Sequence, residues 1–242
     1  MENKYNFVMN IELVSKPKSP IIIEGFPGFG LVSTITTEFL INHLKAVQIG
    51  KIVLEEIPPM IAVQKGEIIE PIGIFYVKKH NLVILNAITS VSGHEWGIAK
   101  LVVELGKMLH AKEIVCVEGI GSMNETNSVY YLTNKEKNSV LLKKKTGLSS
   151  LQDGIIMGVT GALVLHKSIL TSCFFVETHS NLPDSRAAAR IIENLDKYLG
   201  LKLDPRPLID QAQRFEAKIK TVMEQSKTAS EMKQQKELSY LG

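Results

Sequence analysis

Apolar positions along the chain fall into short unbroken runs separated by longer stretches of helical spacing. Ile21-Ile22-Ile23-Glu24 is a β-branched run entered from Pro20 and closed by Gly25. Such a run, bounded by turn residues, reads as a strand covered on both faces. Val47–Leu54, Met60–Val63, Ile72–Val77 and Leu82–Ala87 follow as further strands, with turns at Lys65-Gly66-Glu67 and Lys79-His80-Asn81. Ile114–Val117, Tyr130–Leu132 and Ser172–Val176 continue the series, and Gly154–Val159 reads as short and extended. Helical spacing runs from Leu31 to Lys45 and again over Glu95–His110, where Ile98, Leu101, Val102, Leu105 and Leu109 form one stripe. A helix through Leu142 would be capped by Asn134, and Gly161–Leu170 reads as helical. Another helix, Ser185–Leu199, has Asp184 or Ser185 as N-cap and Gly200 just past its end.

Strands alternating with helices predict an α/β fold, a three-layer sandwich on a mixed, largely parallel sheet. The hairpin-like strands between residues 47 and 87 are what make the sheet mixed. The body spans residues 1–204, and 205–242 form a C-terminal helical arm. In that arm Leu208, Ala212, Phe215, Ile219, Val222, Ser226 and Ala229 recur at gaps of four and three, the 3.5-residue period of a coiled-coil seam. A stripe on so long a helix needs covering, so the arm reads as an oligomerisation and docking element. The competing reading folds it back on its own body.

Composition narrows the function classes. In 242 residues, 45% are hydrophobic and 22% charged, with a net charge of +3, which excludes wholesale disorder and gives no electrostatic footprint for nucleic acid or a membrane surface. Two cysteines, Cys116 and Cys173, each inside an apolar run, rule out a disulfide framework or a cysteine zinc site. A cytoplasmic protein is expected. Lys143-Lys144-Lys145, without interleaved aromatics, reads as a solvated helix end.

The candidate chemistry gathers at strand ends, where open α/β sheets bind ligands. Gly25-Phe26-Pro27-Gly28-Phe29-Gly30 precedes a helix, whose N-terminus could hold a phosphate. The loop matches neither phosphate-binding fingerprint, and a tight strand-to-helix turn explains it better. Glu118 and Glu177 follow buried strands, with His94 and His179 near the strand ends in sequence. Such a set could make an acid/base pair or bind a divalent metal, although no compact ligand spacing supports this. Arg186 can reach a strand-end carboxylate such as Glu177. Gly25, Gly28, Gly30, Glu118, Glu177, Asp184 and Arg186 are therefore the residues of a candidate pocket. No cofactor is implied.

Three segments carry a family resemblance: Gly25-Phe26-Pro27-Gly28-Phe29-Gly30-Leu31-Val32, Leu182-Pro183-Asp184-Ser185-Arg186-Ala187-Ala188-Ala189, and Leu203-Asp204 with Leu208. In this order the chain resembles the proteasome assembly chaperone 2 family, in its archaeal branch. The resemblance implies a nucleoside-phosphorylase-like α/β fold used without catalysis, homo-oligomers, and contact with proteasome α subunits or a related family member. It further implies a C-terminal arm ending in a hydrophobic–Tyr–any-residue signal. This chain ends Leu238-Ser239-Tyr240-Leu241-Gly242, so Tyr240 stands third from the end and Ser239 precedes it. Leu238, Tyr240, Leu241 and Gly242 are the expected docking residues, in a displaced version of that signal. The alternative function is a phosphate- or nucleotide-binding enzyme of nucleoside-phosphorylase-like or ATP-dependent ligase type, using the glycine loop and Glu118, Glu177, His94 or His179.

Overall fold

The β-branched runs form the centre of one large sheet. A computed structural model describes residues 9–56, 61–64, 66–121, 127–178 and 182–210. Its strands are β1 (Met9–Leu13), β2 (Ile21–Gly25), β3 (Val47–Leu54), β4 (Ala62–Gln64), β5 (Glu67–Ile69), β6 (Ile72–Val77), β7 (Leu82–Ala87), β8 (Glu113–Gly121), β9 (Val129–Thr133), β10 (Ser149–Ser150) and β11 (Thr171–Thr178). The helices are α1 (Val32–His43), α2 (Glu95–Met108), α3 (Glu136–Thr146), α4 (Gly158–Leu165) and α5 (Ser185–Leu199).

Among the described residues the main sheet has nine strands in the order β1-β3-β6-β7-β2-β8-β11-β9-β10, and β4 pairs only with β5. The central strands β7, β2, β8 and β11 are parallel neighbours. Antiparallel pairs β1–β3, β3–β6 and β6–β7 extend one side, and β9 joins β11 antiparallel on the other. The mixed character expected from residues 47–87 is therefore present, with the parallel part in the middle and a short parallel pair, β9 with β10, at one edge.

Strand alternation sends neighbouring side chains into two cores. Ile22, Ile114, Cys116, Cys173 and Phe175 meet α2 and α4 on one face. Ile23, Val115, Val117, Phe174 and Val176 meet α1, α3 and α5 on the other. Three layers result. The stripe of α2 is buried as its spacing predicts, with Ile98, Val102 and Leu105 fully inaccessible. Ala187, Ala188 and Ala189 let α5 lie close to the sheet and to α1, and all three are buried.

Two local expectations are corrected. Asn134 does not cap a helix: α3 starts after Lys135, and the Asn134 amide donates to the carbonyls of His166 (3.1 Å) and Ile169 (2.9 Å) while its Oδ1 accepts from Thr171 N–H (2.9 Å). Three backbone partners in the α4–β11 connection outweigh one free N–H at a helix start. The helix expected over Gly161–Leu170 is α4, displaced toward the N-terminus, and it takes in part of the segment read as extended. Gly158, at φ 71°, turns the chain into the helix, and the turn after Leu165 aligns Thr171 beside Ile114.

The described chain closes with residues 206–210 in a helical turn. Leu208 is buried there against Ala189 and Ile192 of α5. The first seam position is thus covered by its own body. Ala212, Phe215, Ile219 and Val222 lie outside the described residues, as do Leu238, Tyr240, Leu241 and Gly242.

Candidate functional site

The chain leaves β2 through α1 toward β3, and leaves β8 toward β9 on the opposite side of the sheet. Where adjacent parallel strands send their connections apart, a crevice opens beyond their carboxyl ends. Here that crevice is a cleft of about 470 Å³ lined by Pro27, Gly28 and Phe29 after β2, Glu118–Gly121 of β8, and the segment from Leu151 to Gly158 ahead of α4. A smaller cleft of about 230 Å³ adjoins it, bounded by Ser90–Ser92, Glu95 and α4. Pro27, Glu118 and Gly158 line both.

The glycine loop is built for contact, not for cradling an anion. A Cβ on Gly25 would lie 2.6 Å from Thr37 Cγ2 and 2.7 Å from the Ser33 carbonyl, so α1 rests directly on the end of β2. Gly28 is extended, a conformation open to any residue, but Glu118 Oε1 occupies the place of a side chain there. Gly30 has φ 62° and packs on Thr178 and Asp184. Leu31 follows at φ 47°, and Val32 opens α1. The loop's carbonyls are also engaged: Gly30 O accepts from Asp184 N–H (2.8 Å), and Phe29 O lies against Gly119.

Asp184 ties this corner together. Its carboxylate accepts from the Thr178 hydroxyl (2.8 Å) at the end of β11 and from Ala187 N–H (2.9 Å) in the first turn of α5. That is the N-cap expected from the sequence, with a second task of fixing β11 to the helix. Gly200 ends α5 in the left-handed conformation, also as expected. Asp204 accepts from Arg206 Nε (2.8 and 2.9 Å), and that side-chain hydrogen bond draws its carboxyl down to about 2.

The chemistry of the cleft centres on two carboxyls. Glu24 is 1% exposed inside β2, and burial raises its carboxyl to about 7, against the pull of hydrogen bonds from Cys116, the Thr160 hydroxyl and the Phe26 backbone. Thr160 donates to Glu24 Oε1 at 3.1 Å. Glu118, on the neighbouring strand, is raised to about 8, chiefly by burial, with Glu24 pushing the same way and the Thr160 hydroxyl opposing. Two desolvated carboxyls sharing one hydroxyl thus titrate around neutral pH, not in the ordinary carboxylate range.

The sequence-predicted residues separate accordingly. Gly28 and Glu118 line the cleft. Gly25, Gly30 and Asp184 support it from behind. Glu177 turns aside and accepts from the Tyr130 hydroxyl (3.2 Å). Arg186 is exposed on the first turn of α5 and does not line either cleft. His94 precedes α2 and lines neither, while His179 lies outside the described residues. The acid/base set of two glutamates and two histidines therefore does not assemble among the described residues. Sequence reasoning missed Glu24, Thr160 and Asp153. For Glu24 the signal was present: a charged residue inside a strand buried on both faces must be enclosed.

Neither cleft has a Lys, Arg or His among its described lining residues, while Glu118, Asp153 and Glu95 contribute acids. A phosphate placed there would meet carboxyls with no compensating cation, contrary to what phosphate sites require. Thus the fold and cleft define a three-layer α/β protein with an acidic, partly apolar crevice at its switch point. The chain belongs to the PAC2 family, whose model matches residues 22–223. It is 31% identical to Pyrococcus furiosus PbaA, an archaeal homolog of proteasome-assembly chaperone, with 95% of this chain and 99% of that one covered at a TM-score of 0.80. Pyrococcus furiosus PbaB, an archaeal proteasome activator, shares the fold at 21% identity, with 89% and 98% covered and a TM-score of 0.77. A Methanocaldococcus jannaschii protein, MJ0106, is 27% identical over 225 residues, 90% of this chain and 93% of that protein. No described helix is long and apolar enough to cross a membrane.

Proposed function

We propose that this protein is a proteasome assembly chaperone-like adaptor without catalytic activity. It works in the cytoplasm as a homo-oligomer of α/β subunits and contacts proteasome α subunits through its C-terminal arm. The observation that carries this reading is the family membership together with 31% identity to PbaA over 95% of the chain. The acid-lined cleft supports it from the other direction, because the enzyme alternative needs a phosphate site that these residues do not provide.

In this reading the arm, residues 205–242, has two tasks. Leu208 anchors its start on α5, and Ala212, Phe215, Ile219 and Val222 carry the contact between subunits. Large apolar residues on such a seam contribute roughly 1.5–3 kcal/mol each when covered. Leu238, Tyr240, Leu241 and Gly242 then engage the α subunits, with several arms adding avidity. Native mass spectrometry of the full chain, alone and mixed with archaeal α rings, tests both tasks. An oligomer that captures the ring supports the adaptor; a monomer that ignores it removes the reading. Phe215→Asp should shift the native mass toward smaller species, and an unchanged mass would take the seam out of assembly.

A further inference from the structure

We infer that the larger cleft is a binding site for an organic cation, a primary ammonium group on an apolar stem, with Glu118 as its counter-charge. The cavity lies at the switch point of the sheet, where α/β folds bind ligands, and its volume of about 470 Å³ falls in the range of small-molecule sites. Its walls supply both halves of such a ligand's requirements. Phe29, Ile120, Ile156 and Met157 offer apolar surface, and Phe29 and Met157 remain 45% and 68% exposed at the mouth. Glu118 supplies the charge, its carboxyl held in place by Gly28, where any side chain would collide with Oε1.

The other charge classes fit poorly. An anion would meet Glu118 and Asp153 with no basic residue among the described lining. A metal ion lacks ligands, since no group of three or more His, Cys, Asp or Glu side chains among the described residues could hold one. Among the described residues the groups facing Glu118 are acidic or neutral: Glu24 from β2, Thr160 from α4, Asp153 from the preceding segment, and Glu95 of α2 across the smaller cleft. An ammonium ion entering this set pairs with Glu118 as carboxylate, and the carboxyl proton leaves to solvent. Binding therefore releases close to one proton per ligand at pH 7 and below and about half a proton near pH 8, and affinity rises between pH 6 and pH 9 while an alkylamine stays charged. The ammonium can be that of a free amine or of a lysine side chain.

Isothermal titration of the full-length protein tests this. The probes are n-hexylamine, the neutral isostere n-hexanol, and Nα-acetyl-lysine methylamide, each titrated at pH 7 in two buffers of different ionisation heat. The expected result is saturable amine binding with proton release and at least about tenfold weaker binding of hexanol, the margin of a charge-assisted hydrogen bond. Glu118→Gln should lose about tenfold in amine affinity while unfolding at no lower temperature. Asp153→Asn, on the exposed rim and so safe for folding, should lose a few-fold. Binding of hexylamine alone assigns the site to a free amine, and binding of the capped lysine alone assigns it to a protein side chain; either supports the cation site. Equal affinity for hexylamine and hexanol, no saturable binding of either amine, or undiminished binding in both variants would overturn it.

Discussion

Strand β8 carries two glutamates in opposite circumstances. Glu113 opens the strand and is 5% exposed, yet its carboxylate accepts from the Tyr198 hydroxyl (2.9 Å to each oxygen) and from the Asn138 amide (3.2 Å). Asn138 also reaches Ser172 Oγ (2.7 Å), closing a network among β8, α3, β11 and α5. Burial raises the Glu113 carboxyl, but Ser172, Tyr198, Asn138 and Lys145 all oppose that rise. Glu118, five residues on, shares a single hydroxyl with Glu24 and sits at about 8. The first glutamate spends its carboxylate on holding layers together. The other leaves a carboxyl beside an open cleft. A buried acid surrounded by donors is architecture, and one facing empty space is available for chemistry.

The largest expected effect is on the pH dependence of stability, to which Glu24 and Glu118 both contribute, Glu24 being the more enclosed. In the folded chain Glu24 releases its proton near 7, and in the unfolded chain near the ordinary 4.5. The folded state thus holds the extra proton between those values, so this group's penalty is absent below pH 4.5 and complete above pH 7. Glu24's share should lower stability to urea by about 3 kcal/mol over that span, and Glu24→Gln should make the profile shallower while Glu118, raised to about 8, keeps the remainder. A pH-independent wild-type midpoint from pH 5 to pH 9 would contradict the enclosure of Glu24.

At the start of β8, Tyr198→Phe removes the donor to Glu113 and should cost about 2 kcal/mol in denaturant unfolding. Glu118→Gln should raise stability at pH 8, where the folded chain still holds a proton that the unfolded chain has lost, and equal losses at both glutamates would erase the distinction between them. Asp184→Ala, which deletes the α5 cap and the Thr178 bond together, should cost about 1–2 kcal/mol. The smallest effect belongs to Gly28→Ala, about 1 kcal/mol, since only the flexible tip of Glu118 must move. Combined with Glu118→Ala that loss should vanish, and additive losses would mean that the two residues do not touch.

Much of the fold was legible because its central strands are covered on both faces and need no alternation to be seen. The bounds of β3, β6 and β7 coincide with the apolar runs, and α5 begins and ends at its cap residues Asp184 and Gly200. Helix α4 was misplaced because it is apolar on nearly every side, with Val159, Ala162 and Leu163 buried and Leu165 exposed, so periodicity offered no contrast. Asn134 carried a cap-like signal that three distant carbonyl and amide partners redirected. In the site, Glu118 was read as following a strand, whereas β8 runs on to Gly121 and contains it, and its partnership with Glu24 through Thr160 joins residues 136 apart in sequence. No local pattern encodes that meeting. Only the parallel pairing of β2 with β8, and α4 lying against the sheet so that Thr160 reaches Glu24, creates it.

The account's central claim is that the protein grips proteasome α subunits by the end of its arm. Capture of archaeal α rings by the full chain, compared with a chain truncated from Glu237, measures it most directly. Loss of ring capture by a truncated oligomer of unchanged native mass is the predicted result. Undiminished capture by that truncation would contradict it.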